Sequence, residues 1–153
     1  VYIGKLLYLI VLAVFATILC VFLFDVLYPV MPFSFYIKPL IMLILAGIPI
    51  YLISIFVGFS LGKSVAMGLG IVGSLLSALL VTGLGDFIWK FLPWGWGVRF
   101  MDYCVLQCVN ERQFYSTFHE FQLGFIFMLI FTVVLFIISL MWFQRWEGGK
   151  ENE

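Results

Sequence analysis

Four stretches of this chain are almost unbroken runs of apolar residues: 6–24 between Lys5 and Asp25, 39–59 between Lys38 and Lys63, 65–84 closing at Asp86, and 118–143 closing at Gln144 and Arg145. Each has about the 20 residues that carry a helix, at about 1.5 Å per residue, across a bilayer core of roughly 30 Å. The runs are continuously apolar rather than alternating, which predicts helices and not barrel strands. Thr117 and Glu120 have the spacing of a capping box, so the fourth helix is expected to start there. The expected fold is all-α: a single polytopic transmembrane domain over residues 1–153, with four spans and a long external segment at 86–117.

Composition agrees. Hydrophobic residues make up 65% of the 153, aromatics 20% and charged residues 10%, with mean hydropathy +1.20. Soluble domains carry about 25% charged residues, and eight basic plus eight acidic side chains are too few to coat a soluble globule. A soluble enzyme, a nucleic-acid binder and a disordered tail are thereby excluded, and zero net charge gives no attraction to nucleic acid. The first run is not read as an export signal. It is too long for a signal h-region, lacks an A-x-A-like site, and has bulky Leu19 before Cys20. The chain opens on Val1, so further helices are expected on its N-terminal side.

Four spans put both termini and the 60–64 turn on one face and the loops at 25–38 and 86–120 on the other. Lys5, Lys63, Arg145 and Lys150 stand against Lys38, Lys90, Arg99 and Arg112. The numbers tie, but Lys5, Lys63 and Arg145 abut span ends while Arg99 and Arg112 lie deep in a long loop. The positive-inside rule therefore predicts cytoplasmic termini.

Two regions carry more specific patterns. In the third run Ala66, Gly70, Ser74, Ala78 and Thr82 recur every four residues, with Gly73 and Ser77 beside them. Such a face lets helix backbones approach closely in lipid, within this chain or against another subunit. The segment at 86–120 holds ten aromatics, Phe87, Trp89, Phe91, Trp94, Trp96, Phe100, Tyr103, Phe114, Tyr115 and Phe118, among charged residues. Val98, Met101, Val105 and Cys108 fall at helical spacing opposite Arg99, Asp102 and Asn110. This predicts short amphipathic helices dipping into the outer leaflet, broken at Pro93, Gly95 and Gly97.

Thr82-Gly83-Leu84-Gly85-Asp86, then Trp89, Pro93, Trp94, Trp96, Gly97, Arg99, Phe100, Asp102 and Tyr103, resemble the permease subunits of lantibiotic-protection ABC transporters, a branch of the ABC-2 type membrane proteins. The match is dense over about a third of the chain. The resemblance implies that the four spans are the last four of six, with a re-entrant external hairpin before the final helix. It implies a bacterial cell-membrane protein whose partners are an ABC ATPase and a second, similar permease subunit. Antimicrobial peptides would be expelled from the membrane, with ATP and magnesium held by the ATPase and no cofactor in this chain.

Chemistry within the chain is sparse. Gly62-Lys63 and Gly149-Lys150 lack the glycine spacing of a phosphate loop, and neither a G-x-S-x-G elbow nor an H-E-x-x-H pair occurs. His119-Glu120 is read as a helix-entrance and headgroup pair, and Pro49 as a packing kink. No charged residue falls at mid-depth to serve a proton relay. The chain is expected not to be an enzyme. The alternatives are a tetraspan thiol-disulfide oxidoreductase using Cys104 and Cys108, whose C-x-x-x-C spacing departs from C-x-x-C, and a non-catalytic membrane assembly protein.

Overall fold

The structure, a computed structural model, describes residues 2–27 and 34–150, with side chains through Arg145. It consists of α1 (Tyr2–Leu27), α2 (Ser34–Ser60), α3 (Lys63–Val81), α4 (Pro93–Val109) and α5 (Glu111–Lys150), with 3-10 turns at Gly83–Gly85 and Trp89–Phe91. Four helices, α1, α2, α3 and α5, are long and apolar enough to cross a membrane, and no strand occurs among the described residues. Val1 and most of the first loop expected outside, residues 28–33, lie outside the described residues, as does the Lys150 side chain.

Lipid tails are as apolar as leucine, so burial alone does not hold such helices together; packing detail and hydrogen bonds do. Helix α1 shows this plainly. It exposes Leu7, Val11, Phe15 and Phe22 and buries only Tyr2 and Leu6. The hub is α2, which packs against each of the other four helices, and its Ala46, Pro49, Leu52 and Ile55 are buried. Two cores flank it. One joins Ala46, Leu80, Trp89, Trp96, Phe100 and Met128; the other joins Tyr2, Leu6, Leu52, Ile55 and Phe143. In the second, the Tyr2 hydroxyl donates to Ser139 Oγ at 2.8 Å, and Ser139 is 4% exposed. That bond fastens the start of α1 to the far half of α5.

Helices α2 and α3 reverse over two residues, Leu61 and Gly62. Gly62 sits at φ 96°, where any side chain would be strained, so the glycine is needed for the turn itself rather than as part of a small-residue face.

The helix ends depart from the apolar runs in instructive ways. The third helix stops at Val81, three residues before the apolar run does, because the chain turns into the 3-10 segment at Gly83. The fourth spanning helix starts at Glu111 rather than near Phe118. Its cap is Asn110, whose Oδ1 accepts the Gln113 amide at 3.2 Å. The expected capping box is therefore corrected: the Thr117 hydroxyl lies mid-helix and donates back toward the Gln113 and Phe114 carbonyls at 3.1 and 3.2 Å. Hydropathy could not find this start because Glu111, Arg112, Gln113, Ser116 and Thr117 are polar. With 40 residues, α5 is about 60 Å long, about twice a bilayer core, and these polar turns fall in the surplus.

An N-cap contributes about 1 kcal/mol. Asn110→Ala should lower the thermal midpoint of the detergent-purified protein by a few degrees, while Thr117→Ala should leave it nearly unchanged. The opposite order would restore the cap to Thr117.

Candidate functional site

The residues on which the family resemblance rests converge at one end of the first core. After α3 the chain makes two tight 3-10 turns and then doubles back as α4. Pro93 stands in the first turn of α4, where its missing N–H costs nothing. A Cβ on Gly97 would meet Leu43 and Ala46 at 3.7 and 3.9 Å, and the Trp96 ring lies against Phe131 at 5.4 Å. At the other end of α4 the Gln107 amide accepts a hydrogen bond from Lys38. Thus α4 begins inside the bundle and ends beside the start of α2. Asn110 then links it to α5 in a tight helical hairpin.

Arg99 closes this path. Its Nε donates to the Leu80 carbonyl at 2.7 Å, and one Nη donates to the Thr82 carbonyl at 3.0 Å and to Asp86 Oδ1 at 2.5 Å. The last carbonyls of a helix have no intrahelical partner and carry its negative dipole end. A guanidinium supplies donors and positive charge together. Gly85 permits the closure, since a Cβ there would lie 2.5 Å from the Leu80 carbonyl oxygen.

The tryptophans are structural. Trp89 is 2% exposed, packs on Phe100 and Tyr103, and sits so close to α5 that a Cβ on Gly124 would come within 2.3 Å of its ring. The Trp96 indole donates to the Lys90 carbonyl at 2.9 Å, and Lys90 is ion-paired with Glu120. Trp94 lies against Gly73, where a Cβ would meet its indole nitrogen at 1.9 Å. The Ser77 hydroxyl lies 3.0 Å from the Gly73 carbonyl and 2.9 Å from that of Trp94. Asp102 is exposed, outside this cluster.

One sequence expectation is corrected here. Helix α4 runs unbroken through Gly95 and Gly97, because both glycines are spaces for neighbours and not stops; Gly95 lies against Leu80 and Trp89. Its bundle-facing side is Trp96, Phe100 and Cys104, about 120° round the helix from the side of Val98, Met101, Val105 and Cys108, on which Val105 and Cys108 are exposed. The buried side is set by tertiary contact with α2, α3 and α5, and in a segment this rich in apolar residues periodicity does not choose between faces. The small-residue stripe also divides: Gly73 and Ser77 meet α4, Ala66 lies 3.8 Å from a Cβ on Gly58, and Gly70, Ser74, Ala78 and Thr82 are exposed in this chain. Sequence reasoning missed Gly124. The signal for it was the i, i+3, i+4 run Phe121, Gly124, Phe125, Met128, in which one glycine interrupts large side chains.

Cys104 and Cys108 are free thiols lining a cavity of about 410 Å³ with Lys38, Pro39, Gln107 and Glu111. Burial pushes the Cys104 thiol up, against the lowering by Lys38, so it is a poor thiolate. What the turn leaves outward is apolar: Leu84 at 76% exposed, Phe87 at 87%, Ile88 and Phe91. Comparison of the chain with protein-family models, with curated proteins and with solved structures finds no match.

Gly73→Leu should drive Trp94 off α3 and sharply reduce the yield of folded monomer in detergent, whereas Gly70→Leu should fold like the parent. Size-exclusion profiles of the two variants check this; equal loss in both would contradict the division of the stripe.

Proposed function

We propose that this chain is a permease subunit of an ABC transporter of the lantibiotic-protection type, working with a separate ATPase and a second, similar permease subunit to expel antimicrobial peptides from a bacterial cell membrane, with its termini cytoplasmic. ATP and magnesium belong to the ATPase in this reading. The observation that supports it is the convergence of the motif: Gly85, Asp86, Trp89, Pro93, Trp94, Trp96 and Arg99 pack as one unit that holds α4 against α2, α3 and α5. A helix fixed in this way suits a transporter subunit whose own chain does no covalent chemistry.

In this arrangement Trp89 and Trp96 are too buried to touch cargo. Peptide contact falls to the outward patch of Leu84, Phe87, Ile88 and Phe91, which presents apolar side chains on a rigid turn. A cationic, amphipathic peptide lying in the interface would meet that patch with its own apolar face.

The thiol alternative remains distinguishable because Cys104 and Cys108 share a cavity, and disulfide exchange requires an attacking thiolate. In cells that carry the partner subunits, Phe87→Ser with Phe91→Ser should reduce peptide resistance severalfold at unchanged membrane abundance, while Cys104→Ser with Cys108→Ser should leave it intact. Resistance lost in the serine pair and retained in the phenylalanine pair would favour thiol chemistry instead. Gentle detergent extraction should bring down an ATPase with the parent chain, and ATP hydrolysis should follow that partner.

A further inference from the structure

At the opposite end of the bundle from the clasp, α1, α2 and α3 enclose a groove of about 610 Å³, within the roughly 300–1,000 Å³ of small-molecule sites. Its walls are apolar, with Leu9 and Tyr8 from α1, Ile55 and Phe59 from α2, and Ala66 and Met67 from α3. Lys5 and Lys63 also line it, and both are exposed. Lys5 lies early in α1 and Lys63 opens α3, so both charges belong to the same end of the bundle. The Lys5 ammonium sits 4.5 Å above the Phe59 ring, which tethers it over the groove.

Three other cations of the chain have partners within it. Lys90 has Glu120, Arg99 has Asp86, and Lys38 has the Gln107 amide. Among the described residues no carboxylate pairs with Lys5 or Lys63. We propose that the groove holds one anionic glycerophospholipid, its phosphate between Lys5 and Lys63 and the upper part of an acyl chain along Leu9, Ile55 and Met67. A second copy of this chain placed on the groove by a two-fold axis would bring four ammonium groups together, since such an interface pairs each patch with itself. A lipid supplies both the negative charge and the apolar tail that the groove presents surfaces for, and juxtamembrane lysines are the usual attractors of anionic leaflets.

The site is independent of the transport reading and is tested without it. The purified full chain in neutral detergent is titrated with dioleoyl phosphatidylglycerol and with dioleoyl phosphatidylcholine, and bound lipid is counted by native mass spectrometry. The parent should prefer phosphatidylglycerol by roughly thirtyfold, in line with two surface lysines. Lys5→Gln with Lys63→Gln should abolish the preference, Lys5→Arg with Lys63→Arg should keep it, and Ala66→Phe, which fills the groove, should weaken binding of phosphatidylglycerol. Equal binding of the two lipids by the parent would overturn the proposal, as would competition by glycerol phosphate as strong as by the lipid, or a lipid-free dimer as the dominant species. If the glutamine pair does not fold, the arginine pair and Ala66→Phe decide: loss of preference in the arginine pair, or unchanged binding in Ala66→Phe, counts against the site.

Discussion

The carbonyls at the end of α3 set the problem that the rest of this structure answers. The last carbonyls of a helix have no intrahelical partner; that of Leu80, a buried residue, is partly shielded here, and a buried polar group left unsatisfied costs about 1–3 kcal/mol. Arg99 reaches back 19 residues to the Leu80 carbonyl and 17 to that of Thr82. To place the guanidinium there, α4 must enter the bundle beside α3, and the turn between them must be compact. Gly85 against the Leu80 backbone, Trp94 against Gly73 and Trp89 against Gly124 are the contacts that make it so. Hydrogen bonds to a charged donor contribute about 1.5–3 kcal/mol. The ion pair to Asp86 is secondary, because the Asp86 side chain is 56% exposed and exposed pairs contribute about 0–1 kcal/mol.

Once the clasp is made, the aromatic segment divides into parts with different roles. Trp89, Trp96 and Phe100 become the core between α2 and α5, and Leu84, Phe87 and Phe91 are turned outward. The lysines divide in the same manner. Those near the clasp have partners in the chain, while Lys5 and Lys63 at the far end face an apolar groove.

Much of this was legible in the residues, and what was not has identifiable causes. The four spanning helices follow from runs of apolar residues long enough for a bilayer, a signal that survives any tertiary context. The start of α5 was hidden because Asn110 caps a helix whose first two turns are polar, and Thr117 offered a more conspicuous but unused motif. The segment from Asp86 to Tyr103 stood out for its mixture of aromatics with Gly, Asp and Arg, yet the continuity of α4 was missed. Gly95 and Gly97 look like breaks when seen alone, but at Gly95 a Cβ would crowd Leu80 and Trp89 at 3.1–3.3 Å, while at Gly97 it would make ordinary contact with Leu43 and Ala46. The third helix is similar: the four-residue repeat through Gly70 and Ser74 is the more regular stripe, but Trp94 chose Gly73.

The fold of this segment depends on Arg99 acting through the end of α3 more than through Asp86, and a double-mutant cycle measures that directly. Thermal midpoints of Arg99→Gln, Asp86→Asn and the pair should show Arg99→Gln much the more damaging, with the pair little worse than Arg99→Gln alone. A loss in Asp86→Asn as large as in Arg99→Gln, or an Arg99→Gln protein as stable as the parent, would contradict it.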